Sequence, residues 1–192
     1  MSRVILQNKS SDELASFVSG TIAGITLPND ITSIGDYAFA FCESLTNISI
    51  PDSVTDIGEG AFYYCSRLKN VNIPNGITEI KESTFEDCQN LESVYIPNSV
   101  THIRASAFEY CRELNNVIIP NSVIAINIEA FYNCGSLSNL TLQPSSPPSL
   151  GSQALVYTSP DLVIYVPSES VETYKSASGW SAYSSRIQAI PA

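Results

Sequence analysis

The sequence predicts an α/β repeat solenoid with parallel strands, in which five consecutive 23-residue repeats are closed at each end by a cap of different sequence. Three observations predict it. All five cysteines, Cys42, Cys65, Cys88, Cys111 and Cys134, fall 23 residues apart. The same step separates Phe39, Phe62, Phe85, Phe108 and Phe131, and it also separates Pro28, Pro51, Pro74, Pro97 and Pro120. Independent columns in one register are the mark of a stacked array, so the period is read before any single element. Further columns run through Leu45 to Leu137, Ile34 to Ile126, and Ile31 to Val123.

Each element of the unit follows from its residues. Leu68, Val71 and Ile73 alternate with the period of a strand that buries one face. Pro74 offers no N–H to a ladder and ends that strand, and Asn75-Gly76 supplies turn chemistry. A second extended piece covers 77–80. The spacing of Thr84, Phe85, Cys88 and Leu91 then predicts a helical turn or two on the opposite flank. One unit holds about eight apolar positions worth roughly 1.5–3 kcal/mol each on burial. Ordering its backbone costs roughly 1–2 kcal/mol per residue. A single unit therefore does not fold alone, and stacking supplies the rest.

The ends need caps. Residues 1–27 are read as an N-terminal cap and degenerate repeat, 28–142 as the repeats and 143–192 as a C-terminal cap, all in one structural domain. Ile22, Ile25 and Leu27 continue the strand columns backwards. Ahead of them, Ser10 and Glu13 have the spacing of a capping box, and Leu14, Phe17 and Val18 are placed to cover the open end. After the strand at Leu137, Leu140 and Leu142, the run Gln143 to Pro148 breaks the period and the repeats are expected to stop. Leu162 to Pro167 reads as one more strand. Ser168 is placed to cap a helix carrying Val171 and Tyr174, with Trp180, Tyr183 and Ile187 following as an aromatic lid.

Written once, the unit is I-P-x-S-V-T-x-I-G-x-x-A-F-x-x-C-x-x-L-x-x-V-x, which resembles the BspA-type leucine-rich repeats of bacterial and protist surface proteins over about residues 20–190. The tail Ile164-Tyr165-Val166-Pro167, with Tyr174-Lys175 and Gly179-Trp180, resembles that family's C-terminal cap. The resemblance implies a curved right-handed leucine-rich-repeat solenoid, a cell-surface or secreted location, and adhesion to host extracellular or cell-surface proteins. Met1 to Asn8 lacks a secretory hydrophobic region, and no sorting motif or anchor is read after Ile190, so the location rests on kinship alone.

Composition narrows the partners. Nineteen acidic residues against nine basic ones give a net charge of −10, which opposes nucleic acid and anionic lipid. From Asp12 to Ser66 there are eight carboxylates and no Lys or Arg, a solvated acidic face that would favour a basic partner. No stretch reaches the length of a membrane span, so no membrane insertion is expected.

Catalytic and metal chemistry is weighed and set aside. Cysteines in one column point the same way on successive coils, which is poor disulfide geometry, and they are read as a buried thiol ladder. His102 has no second imidazole to share a metal and is read as a surface residue. The carboxylate groups Glu82, Glu86, Asp87 and Asp52, Asp56, Glu59 are assigned to exposed variable slots. No hydrolase, phosphate-loop or dinucleotide motif is present, so the chain is expected to be neither an enzyme nor a cofactor binder. The triplets Asn47-Ile48-Ser49 and Asn139-Leu140-Thr141 match a glycosylation acceptor but arise from strand alternation.

The strand residues that face away from the core are the candidate partner-binding face: Asn47 and Ser49, Asn70 and Asn72, Ser93 and Tyr95, Asn116 and Ile118, Asn139 and Thr141. Tyr95 and Ile118 lie on adjacent repeats and form an apolar centre in a polar surround. A second stripe of Phe41, Tyr64 and Tyr110, with Tyr63 and Tyr132 beside it, either packs between coils or sits exposed on the flank. Exposure there would favour self-association or carbohydrate contact. The function expected is a non-catalytic protein-interaction module, adhesin-like. The alternatives are a structural spacer without its own ligand and a carbohydrate-binding protein that uses the aromatic stripe.

Overall fold

A computed structural model describes residues 23–191. The capping box at Ser10, the covering residues Leu14, Phe17 and Val18, and Ile22 lie outside the described residues. Alternation of one buried and two outward residues builds a strand per coil. The strands Gly24–Thr26, Asn47–Ser49, Asn70–Asn72, Ser93–Tyr95, Asn116–Ile119, Asn139–Leu142, Val163–Val166 and Ile187–Ala189 join in chain order into one eight-stranded sheet. All pairings are parallel and in register, Asn47 against Asn70, Ser93 against Asn116, and Asn116 against Asn139. The repeat solenoid with parallel strands is therefore as predicted. Six of the strands are followed by a proline, Pro28, Pro51, Pro74, Pro97, Pro120 or Pro167, whose carbonyl accepts the N–H three residues on, as from Ile77 to Pro74 at 3.1 Å. A second side is made of two-residue strands such as Glu79–Ile80 and His102–Ile103, also parallel.

The third side differs from the helical turns predicted from Thr84, Phe85, Cys88 and Leu91: it is a run of turns. The N–H groups of Glu86 and Cys88 return to Ser83 and Phe85 within the coil at 3.1 and 3.2 Å. Those of Ser83, Phe85 and Asp87 instead reach the next coil, at Ala105, Ala107 and Glu109, at 2.8–3.0 Å. Every side of the coil thus bonds to its neighbour at roughly the 4.8 Å spacing of paired strands. An α-helix, 10–12 Å across with its side chains, does not fit that step. Two backbone positions per turn swing to the left-handed region. One column holds Tyr37, Gly60, Ser83, Ser106, Glu129 and Gln153, and the other Phe41, Tyr64, Asp87, Tyr110, Asn133 and Tyr157, with φ between 53° and 61°.

The core runs the length of the stack. Phe39, Phe62, Phe85, Phe108 and Phe131 form one column of stacked rings, 5.2–5.4 Å between centroids and within 8° of parallel. All five cysteines are buried free thiols. Each from Cys65 onward donates its Sγ–H to a phenylalanine carbonyl of the preceding coil, Cys65 to Phe39 at 3.1 Å and Cys88 to Phe62 at 3.2 Å. Thr84 takes a slot that is alanine in neighbouring coils and satisfies its buried hydroxyl on the Lys81 carbonyl at 2.9 Å.

The sequence motif lapses after Leu142, yet the backbone completes one more coil. Ser149–Leu150 pairs with Ala125–Ile126, and Phe131 and Asn133 donate to Ala154 and Val156 at 2.9 Å. The cap then folds across the end as a 3-10 turn Ser168–Ser170, a helix Val171–Ser176 and a second 3-10 stretch Trp180–Arg186. Two expectations are corrected there. The Ser168 hydroxyl bonds Glu169 rather than capping the helix, and Ile187 belongs to a strand that pairs with Val163–Val166. Tyr174 and Trp180 are fully buried and pin the proline-rich segment, with the phenol donating to the Pro144 carbonyl at 2.8 Å and the indole N–H to Pro148 at 2.7 Å.

Candidate interaction surfaces

The ten residues proposed for the partner face all point outward from the sheet. Asn139 and Thr141 are half-buried and the other eight exposed. Tyr95 and Ile118 expose 54% and 56% of their surface. Asn72 pairs with Tyr95 and Ile118 with Thr141, so these four share one column of the sheet. A shallow depression of ≈ 450 Å³ opens beside them, lined by Asn72, Ser93, Tyr95, Asn116, Ile118 and Gln143. In the adjacent column the polar residues bond to one another, Ser93 Oγ to Asn70 Oδ1 at 2.7 Å and Asn139 Nδ2 to Asn116 Oδ1 at 2.8 Å. Sequence reasoning missed that the column of Tyr95 and Ile118 continues beyond Thr141. Thr141 pairs with Tyr165, whose strand was assigned to the cap alone. Its position two residues before Pro167 matches Tyr95 before Pro97 and was the available signal.

The aromatic stripe both packs and stays accessible. Phe41 meets Tyr63 edge-on at 5.2 Å, and Tyr110, Tyr132 and Tyr157 form a second edge-to-face chain at 5.9 and 5.2 Å. Phe41 and Tyr157 remain 57% and 66% exposed. Phe41, Tyr64, Tyr110 and Tyr157 all occupy the left-handed backbone column. That conformation costs a residue with a side chain roughly 1–2 kcal/mol, while Asn and Asp adopt it most readily.

Between the two aromatic groups lie Glu86, Asp87 and Glu109. Glu86 and Asp87 are half-buried, not fully exposed as the sequence implied, because the turn bonds tightly to the next coil. Partial burial, then the neighbouring carboxylates, raise the Glu86 carboxyl above its ordinary range despite a hydrogen bond from Ser83. Glu109 is raised in the same way. Elsewhere charges pair: Lys81 with Asp56 at 2.7 Å, and Arg104 Nε with Glu79 at 2.6 Å. His102 is half-buried, with Nδ1 against the Thr101 hydroxyl at 2.9 Å.

A BspA-type leucine-rich-repeat region model matches residues 13–138 and 101–178 in six copies. The chain belongs to that family. Three solved structures share the leucine-rich-repeat fold. The T. pallidum leucine-rich repeat protein is 28% identical, with a TM-score of 0.63 over 75% of this chain and 68% of its own. Leucine-rich repeat proteins of Bacteroides ovatus and Eubacterium ventriosum are 24% and 23% identical, with TM-scores of 0.57 and 0.58 over 74% of this chain. This chain spans 53% and 44% of those two proteins. No curated protein matches the chain. Among the described residues, no helix is long and apolar enough to cross a membrane.

Proposed function

We propose that this chain is a non-catalytic protein-interaction module of an adhesin-like, surface-exposed or secreted BspA-type protein, and that it binds through the outward sheet face around Tyr95 and Ile118. The observation that carries the reading is the exposure of these two large apolar side chains at the rim of a ≈ 450 Å³ depression, within a face otherwise made of Asn, Ser and Thr. An apolar centre inside a hydrogen-bonding surround is the anatomy of a modest protein-binding site. The family's association with surface proteins supports the location.

The test is direct binding of the purified chain to a panel of extracellular-matrix proteins, mucosal glycans and host-cell surfaces at physiological salt, beside a Tyr95→Ser/Ile118→Ser variant of equal stability. Binding abolished in the variant supports the reading. Binding that survives moves the site off the sheet, and no binding leaves a structural spacer ahead.

A further inference from the structure

The turn flank carries a second surface with a different chemistry. Its left-handed column holds an aromatic residue at Phe41, Tyr64, Tyr110 and Tyr157, whereas Asp87 and Asn133 are the residues that backbone favours. Of these four rings Phe41 and Tyr157 are exposed and Tyr64 and Tyr110 half-buried, so each keeps a solvent-facing surface at a position whose backbone favours Asn or Asp. Glu86, Asp87 and Glu109 fill the gap between the aromatic groups, with the coils held in register by Tyr64 N–H to Glu86 and Asp87 N–H to Glu109, both at 2.8 Å. Among the described residues no Lys or Arg pairs with these three carboxylates. Yet one cation already rests on the flank: the Arg112 guanidinium lies 5.8 Å over the Tyr110 ring.

We propose that this flank docks an extended arginine-rich segment of a partner protein, with guanidinium groups seated against the Tyr64 and Tyr110 rings and paired with Glu86, Asp87 and Glu109. Charge complementarity selects the occupant, since a chain of net charge −10 concentrates three unpaired carboxylates there. Arginine fits better than lysine because its planar head stacks on a ring while its edge bonds a carboxylate in two places. A neutral saccharide fits less well. The rings of the stripe meet at 39–82° and form no flat platform, and sugar hydroxyls leave the carboxylate repulsion in place.

The test is fluorescence anisotropy of a labelled nona-arginine peptide with the full chain, with nona-lysine and a neutral maltoheptaose as further probes. Tyr64→Asn/Tyr110→Asn keeps the charge and suits the backbone, so it should fold with an equal or higher Tm and bind nona-arginine about tenfold more weakly. Glu86→Gln/Glu109→Gln should weaken binding to a similar degree and raise Tm by removing like-charge repulsion. Asp30→Asn/Asp52→Asn removes the same charge elsewhere and should change affinity by no more than about twofold. The proposal is overturned if the Tyr64/Tyr110 variant, still folded, binds as tightly as the parent. It is equally overturned if the Asp30/Asp52 variant loses as much as the Glu86/Glu109 variant, or if maltoheptaose binds the flank and nona-arginine does not. Should the tyrosine variant lose Tm, the glutamate pair against the aspartate pair decides.

Discussion

Replacing Phe85 with alanine tests whether the aromatic column holds the coils together. The side chain is fully buried between Phe62 and Phe108, whose ring centroids lie 5.3 and 5.4 Å away. Truncating a buried Phe costs about 3–5 kcal/mol through lost transfer energy and the cavity left behind. Each stacked pair contributes about 0.5–1.5 kcal/mol beyond area. Phe131 is equally buried but has a single ring neighbour, Phe108, because the next coil offers Ala154 and Leu155 in that region. Phe131→Ala should therefore cost less than Phe85→Ala by about 0.5–1.5 kcal/mol. Native proteins have about 5–15 kcal/mol of stability, a range that mostly exceeds the cost of either substitution, so the two variants can be compared. Urea unfolding followed by circular dichroism gives both values, provided the slopes agree. A cost for Phe85→Ala below about 2 kcal/mol, or a larger cost for Phe131→Ala, would refute the argument that the stacked rings add cohesion between coils beyond their burial.

Other outcomes follow from the same geometry. Trp180→Phe leaves the Pro148 carbonyl without its donor and should cost about 1–3 kcal/mol. Because Trp180 touches Tyr174, its effect should not add to that of Tyr174→Phe, and hydrogen exchange should quicken in residues 143–166 before the central coils. Burial holds the Cys65, Cys88, Cys111 and Cys134 thiols above their ordinary range, so the folded state keeps their protons after the unfolded chain has lost them. Their contribution is complete below the unfolded thiol pKa of about 8.5 and is lost as pH rises above it, at about 1.4 kcal/mol per thiol per pH unit. Thermal melts between pH 7 and pH 10 should show Tm falling, and a flat profile would contradict thiol burial. The same thiols should resist a thiol reagent in the native protein and react once it is unfolded in urea.

What the sequence alone determined is the architecture along the stack. A 23-residue step in Phe, Cys, Leu and Pro leaves one arrangement in which like residues meet like, and alternation assigns Val71 and Asn72 to opposite faces, so both the core and the outward face with Tyr95 and Ile118 were legible. The tertiary structure decided the path within each coil. The spacing of Thr84, Phe85, Cys88 and Leu91 suits a helix in isolation, but hydrogen bonds to the next coil at strand spacing forbid one, and the left-handed positions at Ser83 and Asp87 follow from that constraint rather than from local propensity. The coil after Leu142 lacks the motif because it borrows its core from Trp180 and Tyr174 of the cap, contacts 30 and 32 residues away in the chain that no periodicity announces. The partial burial of Glu86 and Asp87 between two aromatic groups is likewise a product of stacking. Repetition fixes which residues recur, and only the close approach of coils fixes how much of each one water can reach.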